Sequence, residues 1–341
     1  MALVCLNRRP VWWRKRGFLA AWWLPLAGLF FALSTLRRFA YRRGWLLSEA
    51  LPVPVLVVGN IAVGGSGKTP VVIWLAQALR ARGFTPGILS RGYGGTATVP
   101  TAVFPDSNPV LVGDEPVLLA RRTGCVLWIG RDRVATGRAL LAAHSEVNVL
   151  ITDDGLQHYR LQRTTEIVVL DEVILGNRWP LPAGPLREPI SRLSSTRLLI
   201  CNGSLSEGLR RRLPPVPQVC MSLEACLFYR LGDPAEKRRA ADFFGQPLCA
   251  AAGIANPGRF FETLRGLGLT LVRTRAFADH HVFSATDFAL AEGEVLLLTE
   301  KDAVKCAAFA PRETWVLPVE ARIDELALET LLECLHGSET A

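Results

Sequence analysis

The sequence holds no C-x-x-C pair: its eight cysteines, Cys5, Cys125, Cys201, Cys220, Cys226, Cys249, Cys306 and Cys334, stand singly. That spacing suggests neither a disulfide framework nor a zinc site, and it fits a body kept in the reducing cytoplasm. Acidic residues are nearly missing from the first fifty positions, where Glu49 alone faces nine basic side chains: Arg8, Arg9, Arg14, Lys15, Arg16, Arg37, Arg38, Arg42 and Arg43. The rest of the chain carries 30 acidic and 30 basic residues, so the formal net charge of +8 lies wholly in that N-terminal segment. A body of zero formal net charge argues against a broad nucleic-acid footprint, which normally shows as a basic face on the folded domain. There is also no internal repeat, no low-complexity tail and no Asn-Lys-x-Asp motif for a guanine base.

Charge is absent again between Arg16 and Arg37, over the twenty residues GFLAAWWLPLAGLFFALSTL. Such a run, rich in tryptophan and flanked by arginines, reads as a membrane segment. It exceeds the apolar core of a cleaved signal peptide, and basic residues continue beyond it. The basic clusters on its two flanks are nearly equal, so they do not set an orientation. Two arrangements stay open: a spanning helix, or an interfacial or re-entrant helix bent at Pro25 and held on anionic lipid from both sides.

An apolar run, Val53, Val55, Leu56, Val57 and Val58, leads into Ala62-Val63-Gly64-Gly65-Ser66-Gly67-Lys68-Thr69 and then into a helix-like stretch. Strand, glycine loop and helix start in that order form a phosphate-binding loop. Backbone N–H groups turn in around phosphate oxygens, Lys68 reaches the β/γ-phosphates, and the Thr69 hydroxyl holds Mg²⁺. The usual pattern begins with glycine where this chain has Ala62; the strand-loop-helix context outweighs that difference.

Apolar runs then alternate with helix-like segments: 87–89, 125–129, 147–151, 167–170 and 198–200, followed after Leu213-Pro214-Pro215-Val216-Pro217 by 248–254, 269–272, 295–299 and 314–317. This predicts an α/β protein, a P-loop NTPase-like parallel sheet flanked by helices, with a second, smaller α/β domain and an N-terminal hydrophobic helix. The expected boundaries are 1–50 for the membrane-associated segment, 51–212 for the P-loop core and 213–341 for the C-terminal domain. The run 147–151 ends in Thr152-Asp153-Asp154-Gly155, where a carboxylate at a strand's C-terminal end can hold Mg²⁺, although Asp-Asp-Gly is also an ordinary turn. Asp114-Glu115 adds an acidic pair at a predicted helix start, which serves equally as a cap with first-turn charge.

Seven segments stand in a telling order: Val58 to Pro70, Leu89 to Gly94, Gly113 to Pro116, Asp153 to His158, Leu181 to Pro189, Phe277 to His281 and Thr299 to Asp302. Together they resemble the tetraacyldisaccharide 4'-kinase family of lipid A biosynthesis, over nearly the whole chain. The resemblance implies transfer of the γ-phosphate of ATP, with Mg²⁺, to the 4'-hydroxyl of an acylated disaccharide 1-phosphate lipid. It further implies work at the cytoplasmic face of the bacterial inner membrane, without nucleic acid or an obligate protein partner. By the same resemblance Asp114 is the base, His280 supports it, Lys68 serves the phosphates, and Thr69, Asp153, Asp154 and Glu115 serve the metal. Arg91, Tyr93, Arg131 and Arg133 are candidates for phosphate or sugar contacts, with a solvated side chain as the alternative for each arginine. The sequence does not choose between His280 and His281, although the family motif favours His280. A P-loop partitioning or ligase-type ATPase is the competing reading. Because the phosphate loop and both acidic motifs follow the apolar run, deletion of residues 1 to 36 is expected to leave ATP binding intact.

Overall fold

The computed structural model describes residues 10–336; Cys5, Arg8 and Arg9 lie outside them. Among the described residues fifteen strands form two sheets. In chain order they are β1 (Val55–Gly59), β2 (Pro86–Ser90), β3 (Thr101–Val103), β4 (Val126–Ile129), β5 (Val149–Asp153), β6 (Thr165–Leu170), β7 (Leu198–Asn202) and β8 (Gln218–Ala225). There follow β9 (Phe228–Arg230), β10 (Asp233–Arg238), β11 (Leu248–Ala252), β12 (Leu271–Ala276), β13 (Val295–Thr299), β14 (Thr314–Leu317) and β15 (Val319–Ile323).

The larger sheet runs β15-β8-β7-β6-β1-β5-β2-β4-β3. Its seven inner strands are parallel, with β3 and β15 antiparallel at the edges. Every residue of β1, β2, β5 and β7 is buried, which is why these strands read as unbroken apolar runs: helices cover both faces. The helix Lys68–Ala81 lays Val71, Val72, Leu75, Ala76 and Leu79 on the sheet, the spacing of one helical face. The smaller sheet, β10-β9-β14-β13-β11-β12, has four parallel strands and an antiparallel hairpin. Phe243 stands edge-on to Phe228 and Trp315 in its core, with centroids 5.0 and 5.4 Å away.

The sheets divide the chain differently from the boundary expected at 213. β8 belongs to the larger sheet, and the chain returns to it through β15 and the helix Glu325–His336, whose Ala327, Leu328, Leu331 and Leu335 join the larger core. The smaller lobe is thus inserted between β8 and β15. Both strands alternate buried or half-buried with exposed residues, one face being left to solvent, so neither has the apolar run that marks β1, β2, β5 and β7.

The charge-free N-terminal run is not one helix. A turn of helix, Phe18–Ala21, is followed by the helix Leu24–Arg42, which carries Arg37, Arg38 and Arg42 within it. No helix among the described residues is long and apolar enough to cross a membrane. Pro25 lies in the first turn, where its missing N–H costs nothing, so it starts the helix and does not bend it. The helical segment leaves Phe18, Leu19, Trp22, Leu26 and Leu29 at least half exposed.

Candidate active site

The phosphate loop leaves β1 at the middle of the larger sheet, beside the ends of β5 and β6, where ligands of open parallel sheets bind. Gly64 and Gly67 take φ of 121° and 93°, a region closed to most side chains. At Gly67 a Cβ would come within 2.9 Å of Asn202 Nδ2 and 3.0 Å of Met221 Cε. The loop is braced from inside: Asn60 Nδ2 donates to Gly64 O and to Ser66 Oγ at 3.2 and 3.1 Å, and Asn202 Nδ2 donates to Ser66 O at 3.0 Å. A second brace comes from the segment Leu181 to Pro189, where Val63 N donates to Pro185 O and Ala62 pairs with Leu186. Position 62 is fully buried in this pairing.

Lys68, at the start of the helix, stands 3.5 Å from Asp154 Oδ1, and Arg187 Nη1 reaches both Asp154 oxygens at 3.0 and 3.2 Å. Burial opposes ionisation of Asp154, but the two cations outweigh it and hold the carboxyl far below its ordinary value. Its neighbour Asp153 ends β5, is buried, and accepts from Ser90 Oγ at 3.2 Å. Burial first, then repulsion from Glu115, raise its pKa well above the carboxylate range, with Lys68 acting the other way. Crowded negative charge of this kind favours a cation, and Asp153 and the Thr69 hydroxyl are hard oxygen donors. Among the described residues no three His, Cys, Asp or Glu side chains form a metal cage; Mg²⁺ is commonly held by one or two protein oxygens, with waters and substrate phosphates completing its shell.

The opposite wall is made by both lobes. Asp114 begins the helix Asp114–Thr123, is 5% exposed, and caps its own Glu115 N–H at 2.9 Å. His280, in the loop after β12, puts Nδ1 3.1 and 3.2 Å from the two Asp114 oxygens and holds a left-handed φ of 58°. Lys301, on the helix Glu300–Cys306 after β13, stands 2.9 Å from Glu115 Oε1, 3.1 Å from Asp279 Oδ1 and 3.4 Å from His280 Nε2. An ammonium can only donate. His280 Nε2 is therefore the acceptor, which leaves Nδ1–H to donate to Asp114. Burial opposes ionisation of Asp114, but the His280 hydrogen bond, Lys301 and Lys305 lower its pKa below the usual carboxylate value. The same burial disfavours charge on Lys301, yet Glu115, Asp114 and Asp279 drive its pKa far above that of a free lysine.

The structure therefore brings Lys68, Asp153 and Asp154 together on one wall and Asp114, Glu115 and His280 on the other. Tyr93 packs its ring 4.9 Å from that of His280 while staying exposed. Arg91 and Arg131 are exposed near the same sheet edge. Arg133 does not face the cleft: it is 2% exposed and donates to the carbonyls of Ser90, Gly130 and Asp153, tying the ends of β2, β4 and β5. Burial lowers its pKa to about 10. His281 turns away, with Nε2 3.3 Å from Asp287 and its ring stacked on Phe277. Lys301, Asp279 and Arg187 were not singled out from sequence, although each lies in one of the seven ordered segments; the missing information was which partner each side chain meets.

The family profile described as Tetraacyldisaccharide-1-P 4'-kinase matches residues 19–336. A tetraacyldisaccharide 4'-kinase of Aromatoleum aromaticum is 52% identical over 97% of this chain and 98% of its own length. One from Dechloromonas aromatica is 50% identical over 97% of each chain. The crystal structure of LpxK from Aquifex aeolicus in complex with ATP is 29% identical and superposes with a TM-score of 0.79 over 93% of this chain and all of that one. With a profile match across both lobes and full-length relatives at half identity, the chain belongs to the tetraacyldisaccharide 4'-kinase family.

Proposed function

We infer that this protein transfers the γ-phosphate of ATP to the 4'-hydroxyl of a tetraacyldisaccharide 1-phosphate. The observation that carries the reading is the pairing of buried Asp114 with half-buried His280, assembled from both lobes across the cleft from the phosphate loop. Repulsion from Glu115 contributes to the raised pKa of Asp153, which supports placing the two walls within electrostatic reach of one another.

In this reading Lys68 and the loop N–H groups bind the triphosphate, and Lys68 opposes the negative charge that develops on the transferred group. Thr69 and Asp153 would hold Mg²⁺, with Glu115 and Asp154 contributing charge nearby; the ion, when bound, neutralises the phosphate oxygens. Asp114 accepts the proton of the sugar hydroxyl. Its own basicity is modest, but phosphoryl transfer depends on positioning more than on a strong base. His280 fixes the carboxylate through Nδ1–H, and Lys301 fixes the ring through Nε2. Tyr93, Arg91 and Arg131 face the same edge and are suited to the acceptor's sugar and phosphate groups.

The acceptor carries acyl chains, so it is met at a membrane surface. The exposed apolar and basic N-terminal segment supports attachment at the cytoplasmic face of the inner membrane, where ATP is available. The test is incubation with labelled ATP and the disaccharide 1-phosphate lipid, with product mapped by mass spectrometry. Label on the 4'-oxygen is expected; ATP turnover indifferent to the lipid would favour the ATPase reading.

A further inference from the structure

Away from the cleft, Arg14, Lys15, Arg16, Arg178 and Arg212 line one depression of about 260 Å³ with Gly176 and Asn177. Like charges gathered in this way repel, and the backbone holds them in place. Asn177 N donates to Trp13 O at 2.7 Å, Asn177 Nδ2 to Trp12 O at 3.0 Å, and Trp13 Nε1 to Pro182 O at 3.0 Å. A side chain at Gly176 would drive its Cβ into Trp13 O, so the close approach needs glycine there. Arg178, with φ 61°, is paired with Glu172 at 2.7 Å. Arg14, Lys15, Arg16 and Arg212 have no acidic partner among the described residues. Beside this depression, and sharing Arg178 with it, lies an apolar groove of about 250 Å³ lined by Phe31, Pro180, Leu186, Pro189 and Ile190.

We propose that the two cavities form one site for an anionic phospholipid of the bilayer, with its phosphate among Arg14, Lys15, Arg178 and Arg212 and an acyl chain along Phe31, Pro180 and Ile190. Arginine and lysine bind phosphate through charge-assisted hydrogen bonds, and the adjoining groove selects an amphiphile over a free anion. The exposed Phe18, Trp22 and Leu26 of the same segment supply the surface against which such a lipid is drawn from its leaflet. Leu186 lines the groove and pairs with Ala62 of the phosphate loop, so occupancy stiffens the segment that braces the loop.

The test is calorimetric titration of the full-length protein with dihexanoylphosphatidylglycerol below its micelle concentration. It contains neither ATP nor disaccharide and is therefore read independently of the kinase assignment. Saturable binding at one site is expected, absent for the phosphatidylcholine analogue and much weaker for glycerol 1-phosphate. R14E/K15E/R212E should weaken it at least tenfold, whereas R37E/R42E/R43E, an equal charge change on the same segment, should alter it less than twofold. F31S should weaken it without changing glycerol 1-phosphate binding. Equal losses in the two triple variants would mean diffuse attraction and overturn the site. So would a lack of saturable binding, or a pocket variant that raises KM for the disaccharide 1-phosphate while phospholipid binding is unchanged.

Discussion

His280 Nδ1 stands 3.1 Å from Asp114 Oδ1, although one residue follows the smaller sheet's β12 and the other opens a helix of the larger lobe. The pair exists only when the lobes are together. Arg122, at the far end of the same helix, helps hold them by its 2.6 Å ion pair with Glu300.

Lys68→Ala should retain the fold, because among the described residues the side chain's one ion pair is the 3.5 Å contact with Asp154, which Arg187 also serves. Transfer should fall by at least ~100-fold, the scale of losing a charge that stabilises the transition state. Circular dichroism and a phosphoryl-transfer assay check the two halves; a folded and active variant removes the nucleotide-site assignment.

Lys301→Met should lower both turnover and stability. It strips the cation that stands within hydrogen-bond distance of both Glu115 and Asp279 and frees the His280 ring. Breaking one partner of a largely buried ion network costs about 3 kcal/mol, read in urea unfolding, and kcat should drop more than KM changes. Full activity in Lys301→Met would leave His280 held by other contacts.

Arg133→Ala should act on stability and not on acceptor affinity. Three carbonyls at the ends of β2, β4 and β5 lose their donor, a loss of about 3 kcal/mol at a buried site. A variant of wild-type stability with raised KM for the lipid would restore the substrate role expected from sequence.

His158 titrates low. Burial first, then Arg133 and Arg91, depress its pKa to about 4 from 6.5. The unfolded chain thus binds the proton more readily than the fold, so stability is lost as pH falls from about 6.5 to about 4 and levels below that. Thermal unfolding across this window should show the decline, flattened in His158→Gln; equal slopes for both proteins would remove His158 as its source.

The inner strands were legible because both of their faces are buried, and continuous apolar runs such as Val55–Gly59 leave no other reading. The last two strands at one side of the larger sheet, β8 and the edge strand β15, alternate, and Pro214, Pro215 and Pro217 just before β8 read as a linker, so the sequence offered no sign that the chain returns to the larger sheet. The phosphate loop and acidic pairs were legible as local patterns. Lys301 was not, since nothing in Thr299-Glu300-Lys301-Asp302 tells which carboxylates its ammonium meets, and those partners come from distant parts of the chain.

The N-terminal segment also makes contacts that the charge pattern does not show. Trp13 is 7% exposed and docks on the loop that leads to Pro185 and Leu186, which brace the phosphate loop. Removal of residues 1–36 should therefore weaken ATP binding as well as the proposed membrane attachment. Substituting serine for the exposed Phe18, Trp22 and Leu26 should release the protein from membranes and leave ATP affinity unchanged, as flotation and nucleotide titration would record.

The most direct measurement of the account is single-turnover transfer by Asp114→Asn at saturating ATP and disaccharide 1-phosphate, beside the ATP dissociation constant of the same variant. If Asp114 takes the hydroxyl proton while Lys68 and its loop hold the triphosphate, ATP binding stays within about twofold and the transfer rate falls at least ~100-fold. An unimpaired transfer rate, or a loss of ATP binding equal to the loss of rate, would contradict it.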